Sequence, residues 1–233
     1  MTGLPKYIHL RLHTEYSLLE GAIRLKKLPG MCKANHMPAI AVTDTNNLFS
    51  ALEFSVLFKD QGLQPIIGCQ IDLKFTDKMP EKRSSNNASI VLLAQNEVGY
   101  KNIINLSSTS YLKNEELSQP HVEFKDLLLN SEGVAIFSGT VFGLFGKLFE
   151  KGKLTEIHNL YDQIKKSFGD RFYIEIQRHN DLNEVGFEKF NLIKSLELEI
   201  PIIATNEVFY ISKDMHEAHD ALICIGNKTY VNE

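Results

Sequence analysis

A histidine-rich segment near the start of the chain has the residue types and spacing of a metal-binding strand. The segment reads as an apolar β-strand whose alternate positions carry His9, Arg11 and His13. Because side chains two residues apart on a strand point to the same face, we expect these three together. A His-x-His pair in such a place can chelate one metal ion. Arg11, however, keeps its proton and cannot be a ligand, so the segment predicts a metal-site strand that has lost its metal chemistry.

The composition is that of an ordinary globular protein from a reducing compartment. The 233 residues are 43% hydrophobic and 23% charged, with a formal net charge of -4, and a chain of this charge is not expected to hold nucleic acid by overall charge. The three cysteines, Cys32, Cys69 and Cys224, are far apart and predict neither disulfides nor a zinc site. We see no signal peptide and no apolar run near the roughly 18 residues of a membrane span. The expected location is the cytoplasm, without membrane association.

Apolar runs and helical patterns alternate along the chain. Alternation of strands with helices implies βαβ units and parallel pairing, and seven strands are enough to close a barrel. The predicted fold class is therefore α/β, with one barrel domain. The predicted strands are 7–12, 39–43, 65–75, 89–93, 134–138, 172–177 and 201–205. The predicted helices are 24–34, 48–61, 98–111, 124–129, 155–168, 184–198 and 213–225.

Polar residues follow most of the predicted strands. In barrels of parallel strands, chemistry collects just after the C-terminal ends of the strands. The residues at these positions are His13, Asp44 and Thr45, Ser138 to Thr140, Gln177 to His179, and Asn206 with Glu207. The alternative is that they are turn and capping residues, because Asp44, Thr45 and Asn46 are good N-caps for the helix predicted from 48.

With these motifs in view, the whole chain resembles the PHP (polymerase and histidinol phosphatase) domain at the N-terminus of bacterial DNA polymerase III alpha subunits. The resemblance rests on His9-Leu10-Arg11-Leu12-His13 and on the motifs at 16–21, 41–48, 65–68, 93–102, 172–177 and 203–206. It implies a distorted seven-stranded (β/α)7 barrel in a single domain over residues 1–233. It also implies that the chain is an N-terminal fragment of a longer polymerase, without the palm.

The resemblance implies two possible roles. Metal-binding members hold divalent cations at the C-terminal rim and hydrolyse phosphoesters, in some polymerases as a 3′–5′ exonuclease. In other members the site has decayed, and the domain supports the polymerase and docks a separate proofreading exonuclease subunit. DNA binding, nucleotidyl transfer and its Mg²⁺ would then belong to the missing remainder of the replicative DNA-directed DNA polymerase.

The metal positions of the family can be carried over to this sequence one by one. By the resemblance they fall on Arg11, His13, Glu20, Thr45, Gln70, Ser89, Thr140, Glu207 and Phe209, with Asp44 as a neighbour at the rim. Only His13 keeps the family's residue, while Glu20 and Glu207 keep an acid. Neutral hydroxyls and amides are poor ligands and phenylalanine is none, whereas a multi-metal hydrolase must fix its cations and activate a water. We therefore expect no metal, no cofactor and no catalytic residue in this domain.

A cluster of acids without a metal needs another positive charge. Glu20, Asp44 and Glu207 would be costly to bury together unpaired. Arg11 can supply the cation, and we expect its guanidinium to pair with Glu20 or Glu207 and to take over the structural role of the metal. The alternative is that Arg11 extends into solvent.

Three functions follow in order of preference. The first is a non-catalytic module of the polymerase that docks the exonuclease. The second is a metal-dependent phosphoesterase or 3′–5′ exonuclease with a reduced site at His13, Glu20, Asp44 and Glu207, using Mn²⁺ or Zn²⁺. The third is a free-standing phosphatase of the histidinol-phosphate kind, which the polymerase-type motifs disfavour.

Overall fold

The computed structural model describes residues 7–74, 87–114 and 119–231, which form an α/β fold. Within these ranges there are six strands, β1 (Ala39–Val42), β2 (Gln64–Lys74), β3 (Asn87–Ala94), β4 (Val134–Phe137), β5 (Phe172–Ile176) and β6 (Ile202–Ala204). The helices are α1 (Leu28–Ala34), α2 (Ala51–Asp60), α3 (Glu97–Leu112), α4 (Phe124–Leu129), α5 (Leu144–Glu150), α6 (Leu154–Phe168), α7 (Glu184–Leu198) and α8 (His216–Asn227). None of the helices in the described ranges is long and apolar enough to cross a membrane.

The strands lie in the sheet in chain order, and the sheet is mixed. Strand β1 pairs with β2, β4 with β5, and β5 with β6, all in parallel. Strands β3 and β4 are antiparallel, so the prediction of parallel pairing is wrong there. The connection between them contains α3, a parallel bridge of Val122 to Leu73, and α4. Because this connection runs along the sheet at the Val122 bridge, the chain starts β4 in the direction opposite to β3.

The predicted first strand is not a regular strand. The backbone N–H groups of Ala41 and Thr43 donate to the carbonyls of His9 and Leu12, each at 2.8 Å. In a regular parallel ladder, successive bonds of this kind are two residues apart on both strands. Here the donors Ala41 and Thr43 are two residues apart, but the acceptors His9 and Leu12 are three apart. The extra residue breaks the ladder and leaves Leu12 in an isolated bridge with Val208. The described residues therefore hold six strands, and the seventh is an extended segment.

The chain folds into two compact units. Unit 1 comprises residues 1–69 and 206–233, and unit 2 comprises residues 70–205. The core of unit 1 is built from apolar side chains of the N-terminal segment, α1, β1 and α2, with Phe54 and Phe58 in ring contact at 4.4 Å. The core of unit 2 contains Tyr161 of α6, whose ring contacts Phe145 and Phe172.

The helix predictions are confirmed to within a few residues, but α5 was missed. This helix is only seven residues long and contains Gly146, a residue that disfavours helices. A Cβ at Gly146 would lie 2.2 Å from the carbonyl oxygen of Val141. Glycine is therefore needed for close backbone packing, and helix propensity is overridden by that contact. Residue 75, the predicted end of the third strand, lies outside the described residues.

Candidate functional site

His13 lies at the centre of a buried polar network in unit 1. Its side chain is fully buried. Its Nδ1 lies 3.1 Å from Ser17 Oγ, and its Nε2 lies 3.0 Å from Glu207 Oε1. The Phe209 ring stacks on the imidazole at 4.4 Å with an interplanar angle of 10°. Both ring nitrogens and one ring face of His13 are thus occupied by protein groups.

Both ring nitrogens of His13 are engaged by protein groups. Ser17 donates its hydroxyl proton to Asp44 Oδ1 at 2.7 Å, and the same hydroxyl oxygen lies 3.1 Å from His13 Nδ1. The Glu207 carboxylate only accepts hydrogen bonds, so it accepts from His13 Nε2. In this arrangement neither ring nitrogen is open to a metal ion.

Arg11 pairs with the same oxygen that His13 contacts. Its Nη2 lies 3.0 Å from Glu207 Oε1, and the side chains are 3% and 17% exposed. Burial alone would raise the pKa of Glu207, but the hydrogen bond from His13 and the charges of Arg11 and His13 hold it below its ordinary value. The predicted ion pair of Arg11 with Glu207 is confirmed, and the alternative of a solvent-exposed Arg11 is wrong.

Thr45 connects Glu20 to this network. Its Oγ1 donates to Glu20 Oε2 at 2.6 Å and lies 3.3 Å from His13 Nδ1. The backbone carbonyl of Glu20 lies 2.8 Å from Nε2 of His219. Of the predicted site residues, unit 1 therefore brings together Arg11, His13, Glu20, Thr45, Glu207 and Phe209.

Asp44 joins this group as a buried acceptor and not as a helix cap. It is 1% exposed, and its carboxylate accepts from Thr14 N and Oγ1, from Ser17 Oγ and from Ser50 Oγ, at 2.7 to 3.0 Å. Helix α2 begins at Ala51, so Asp44 and Thr45 do not cap it. Ser17, which links Asp44 to His13, was missed as a site residue, although its spacing of four residues after His13 was a usable signal.

His9 does not share the face of Arg11 and His13. Its ring lines a cavity of about 350 Å³ in unit 1 together with Leu12 and Cys32. The three-residue advance in the ladder accounts for this, because it places residues 9 and 12 on one side. The expectation of three side chains on one face is therefore wrong for His9.

The remaining predicted site residues belong to unit 2. Gln70 is buried on β2, Ser89 is partly buried on β3, and Thr140 is buried after β4. A further polar group in this unit was not predicted as a site. The buried carboxylate of Glu175 accepts hydrogen bonds from Gln177 Nε2 and from Thr205 Oγ1, which ties β5 to the residue that follows β6.

The residues in unit 1 do not fit a metal cluster. A cation bound between His13 and Glu207 would meet the guanidinium of Arg11, which is 3.0 Å from the same carboxylate oxygen. At the other carried-over positions of unit 1, the Glu20 carboxylate accepts a hydrogen bond from Thr45. The threonine hydroxyl is a poor ligand and the phenyl ring of Phe209 is none. Across residues 7–74, 87–114 and 119–231, no group of three or more His, Cys, Asp or Glu side chains is arranged to hold a metal ion.

Comparison with known proteins identifies relatives over most of the chain. The PHP domain family model matches residues 9–179. The chain is 38% identical to DNA polymerase III subunit alpha of Caulobacter vibrioides over 227 residues, covering 97% of this chain and 20% of that protein. It is 38% identical to the same subunit of Rickettsia felis over 223 residues, covering 95% and 18%. The chain thus spans about a fifth of the length of these relatives.

A solved structure shares the fold. A protein assigned as a metal-dependent phosphoesterase from Bifidobacterium adolescentis matches with a TM-score of 0.57 over 87% of each chain. The two sequences are only 10% identical, so this similarity establishes the fold and carries no conclusion about activity.

Proposed function

The chain belongs to the PHP domain family, and on this premise we propose that residues 1–233 form the non-catalytic N-terminal PHP domain of a DNA polymerase III alpha subunit. The observation that supports this most directly is the ion pair between Arg11 and Glu207, whose nitrogen and oxygen atoms are 3.0 Å apart. A side chain that keeps its positive charge and cannot ligate a metal stands at a position where, by the resemblance, metal-binding members place a histidine ligand.

In this proposal, protein cations replace the metal. Arg11 and His13 share the Glu207 carboxylate, while hydroxyl groups satisfy Glu20 and Asp44. Charged groups bonded in this way keep the site folded without giving it a Lewis acid or an activated water. The seven-stranded barrel implied by the family is part of the same proposal, with the extended segment at residues 7–12 in the place of the seventh strand.

The activity of the whole subunit would lie elsewhere. DNA-directed nucleotide transfer in replication, its Mg²⁺ and its DNA contacts are assigned to the remainder of the polymerase chain. The partners of this domain are then that remainder and a proofreading exonuclease subunit. The relatives that support this assignment are named as polymerase alpha subunits. The matched region covers only 20% and 18% of their length.

A second function is a reduced metal-dependent phosphoesterase or 3′–5′ exonuclease. It is favoured by one observation, the proximity of His13, Glu20 and Glu207 in a single hydrogen-bonded network. It would require Arg11 and His13 to release the Glu207 carboxylate, with Mn²⁺ or Zn²⁺ entering between His13 and Glu207.

Metal content separates the two functions. The chain is incubated with Mn²⁺ or Zn²⁺, desalted and measured by elemental mass spectrometry, and hydrolysis of a DNA 3′ end is assayed in parallel. We expect less than one metal per chain and no metal-dependent hydrolysis. Two or more metals per chain together with hydrolysis that is lost in His13→Ala would overturn the proposal. Complex formation between the full alpha subunit and its exonuclease subunit, weakened when surface residues of this domain are changed, tests the docking role.

A further inference from the structure

Helix α7 of unit 2 turns polar side chains inward. Glu184 and Asn191 are buried, whereas Val185 and Leu196 on the same helix are exposed. The usual helix buries an apolar stripe, but the buried face of α7 combines Phe187 with these two polar groups. Buried polar groups need hydrogen-bond partners, so the inward face of α7 indicates a polar contact beneath it.

One of these groups has an unsatisfied donor. Asn191 is 1% exposed, and its Oδ1 accepts from the hydroxyl of Tyr161 at 3.0 Å. Burial raises the pKa of Tyr161, so the phenol keeps the proton that it donates. Within the described part of the chain, the amide nitrogen Nδ2 of Asn191 is buried and has no hydrogen-bond partner. Such an orphaned buried donor is rare in folded proteins and indicates a missing acceptor.

A small cavity lies beside this amide. Its volume is about 10 Å³. The polar side chains that line it with Asn191 are those of Thr140, Glu175, Gln177, Glu184 and Glu188, and its apolar wall is formed by Val141, Ile176 and Phe187. A cavity of this size holds about one water molecule, and a buried water requires two to four polar partners. Because Oδ1 is already bonded to Tyr161, Nδ2 is the polar atom that Asn191 offers to the cavity.

We infer that this cavity binds a single ordered water that joins α7 to β5. The water accepts a hydrogen bond from Asn191 Nδ2 and donates to the carboxylates of Glu175 and Glu184, which can each accept several bonds. A metal cation does not fit, because an N–H donor points at it. An anion does not fit, because the three glutamates Glu175, Glu184 and Glu188 line the space.

A crystal structure of the chain at a resolution that shows ordered solvent tests this inference. We expect a density peak within hydrogen-bond distance of Asn191 Nδ2 and of a carboxylate oxygen of Glu175 or Glu184, and its loss in Asn191→Leu. An empty cavity would overturn the inference. A peak with the short contacts and higher coordination of a metal ion would overturn it as well.

Solution NMR provides a test with an internal control. Asn47 is also buried, but its Nδ2 donates to the carbonyls of Tyr16 and Thr45, both at 2.9 Å. We expect the side-chain amide protons of Asn191 to show cross-relaxation with water and those of Asn47 to show none. Asn191→Asp, which lacks the amide, assigns the signal. Equal behaviour of the two amides would contradict a water bound at Asn191.

Discussion

At the scale of single residues, one carboxylate oxygen organises the buried polar network of unit 1. Glu207 Oε1 lies 3.0 Å from both Arg11 Nη2 and His13 Nε2. Removing one partner from a buried ion pair is costly, because the other charge is left in a low-dielectric environment. The stability of unit 1 should therefore depend on Arg11 more than on any exposed arginine.

Arg11→Ala is expected to lower the free energy of unfolding by about 3–5 kcal/mol, because Glu207 loses a buried partner. Urea denaturation at neutral pH measures this value. Arg11→Lys keeps the charge but lacks the planar fork of the guanidinium. Its free energy of unfolding should therefore fall less than that of Arg11→Ala. Arg178→Ala is the matched control, because Arg178 pairs with Glu188 at the surface. Equal stability of Arg11→Ala and Arg178→Ala would show that the buried pair has no structural role.

Glu207 also predicts a dependence of stability on pH. Its pKa in the folded chain lies below the ordinary value of 4.5, so its ionised form stabilises the fold. This contribution is fully present above the ordinary value and is lost as the pH falls through the lowered folded pKa. The difference in melting temperature between the wild type and Glu207→Gln should therefore shrink on acidification. A difference that stays constant from neutral pH to well below 4.5 would contradict this account.

At the scale of elements, the loop after His13 depends on a close backbone approach. A Cβ at Gly21 would lie 1.9 Å from the carbonyl oxygen of Thr14, and the N–H and Oγ1 of Thr14 donate to Asp44. Gly30 in α1, by contrast, has no atom within 4 Å of the added Cβ. Substitutions at Gly21 and Gly30 therefore distinguish the close packing required at Gly21 from the general effect of glycine on helix stability.

Gly21→Ala should destabilise the chain by about 1–3 kcal/mol, because the methyl group forces Thr14 away from Asp44. Gly30→Ala should be neutral or stabilising by about 0.5–1 kcal/mol, since alanine favours the helix. Thermal unfolding of the two variants beside the wild type measures both effects. Similar melting temperatures for the two variants would contradict the close approach at Gly21.

At the scale of the whole molecule, the three free cysteines report on global unfolding. Cys32 and Cys69 are buried and Cys224 is partly exposed. Burial raises the pKa of Cys32 to about 11, and the thiolate is the reactive form. Titration of the native chain with a chromogenic disulfide reagent should therefore modify Cys224 first. The two buried thiols should react only after denaturant is added, and their rapid reaction in the native chain would show that the cores open easily.

The sequence by itself determined the alternation of strands and helices and the family, and it predicted poor metal ligands at the family's positions. These properties are local: periodicity places the elements, and the chemistry of Arg11, Thr45 and Phe209 makes them poor ligands or none. The pairing of Arg11 with an acid could be predicted for the same reason, since a cluster of acidic residues that needs a cation can be read from residue types.

Only the tertiary structure decided which atoms meet. The choice of Glu207 over Glu20 as the partner of Arg11, the position of Ser17 between His13 and Asp44, and the antiparallel entry of β4 depend on contacts between distant parts of the chain. The displacement of His9 from its expected face follows from one extra residue in a broken ladder. Local patterns cannot predict such features, because packing and long-range backbone hydrogen bonds override the intrinsic preferences of a segment.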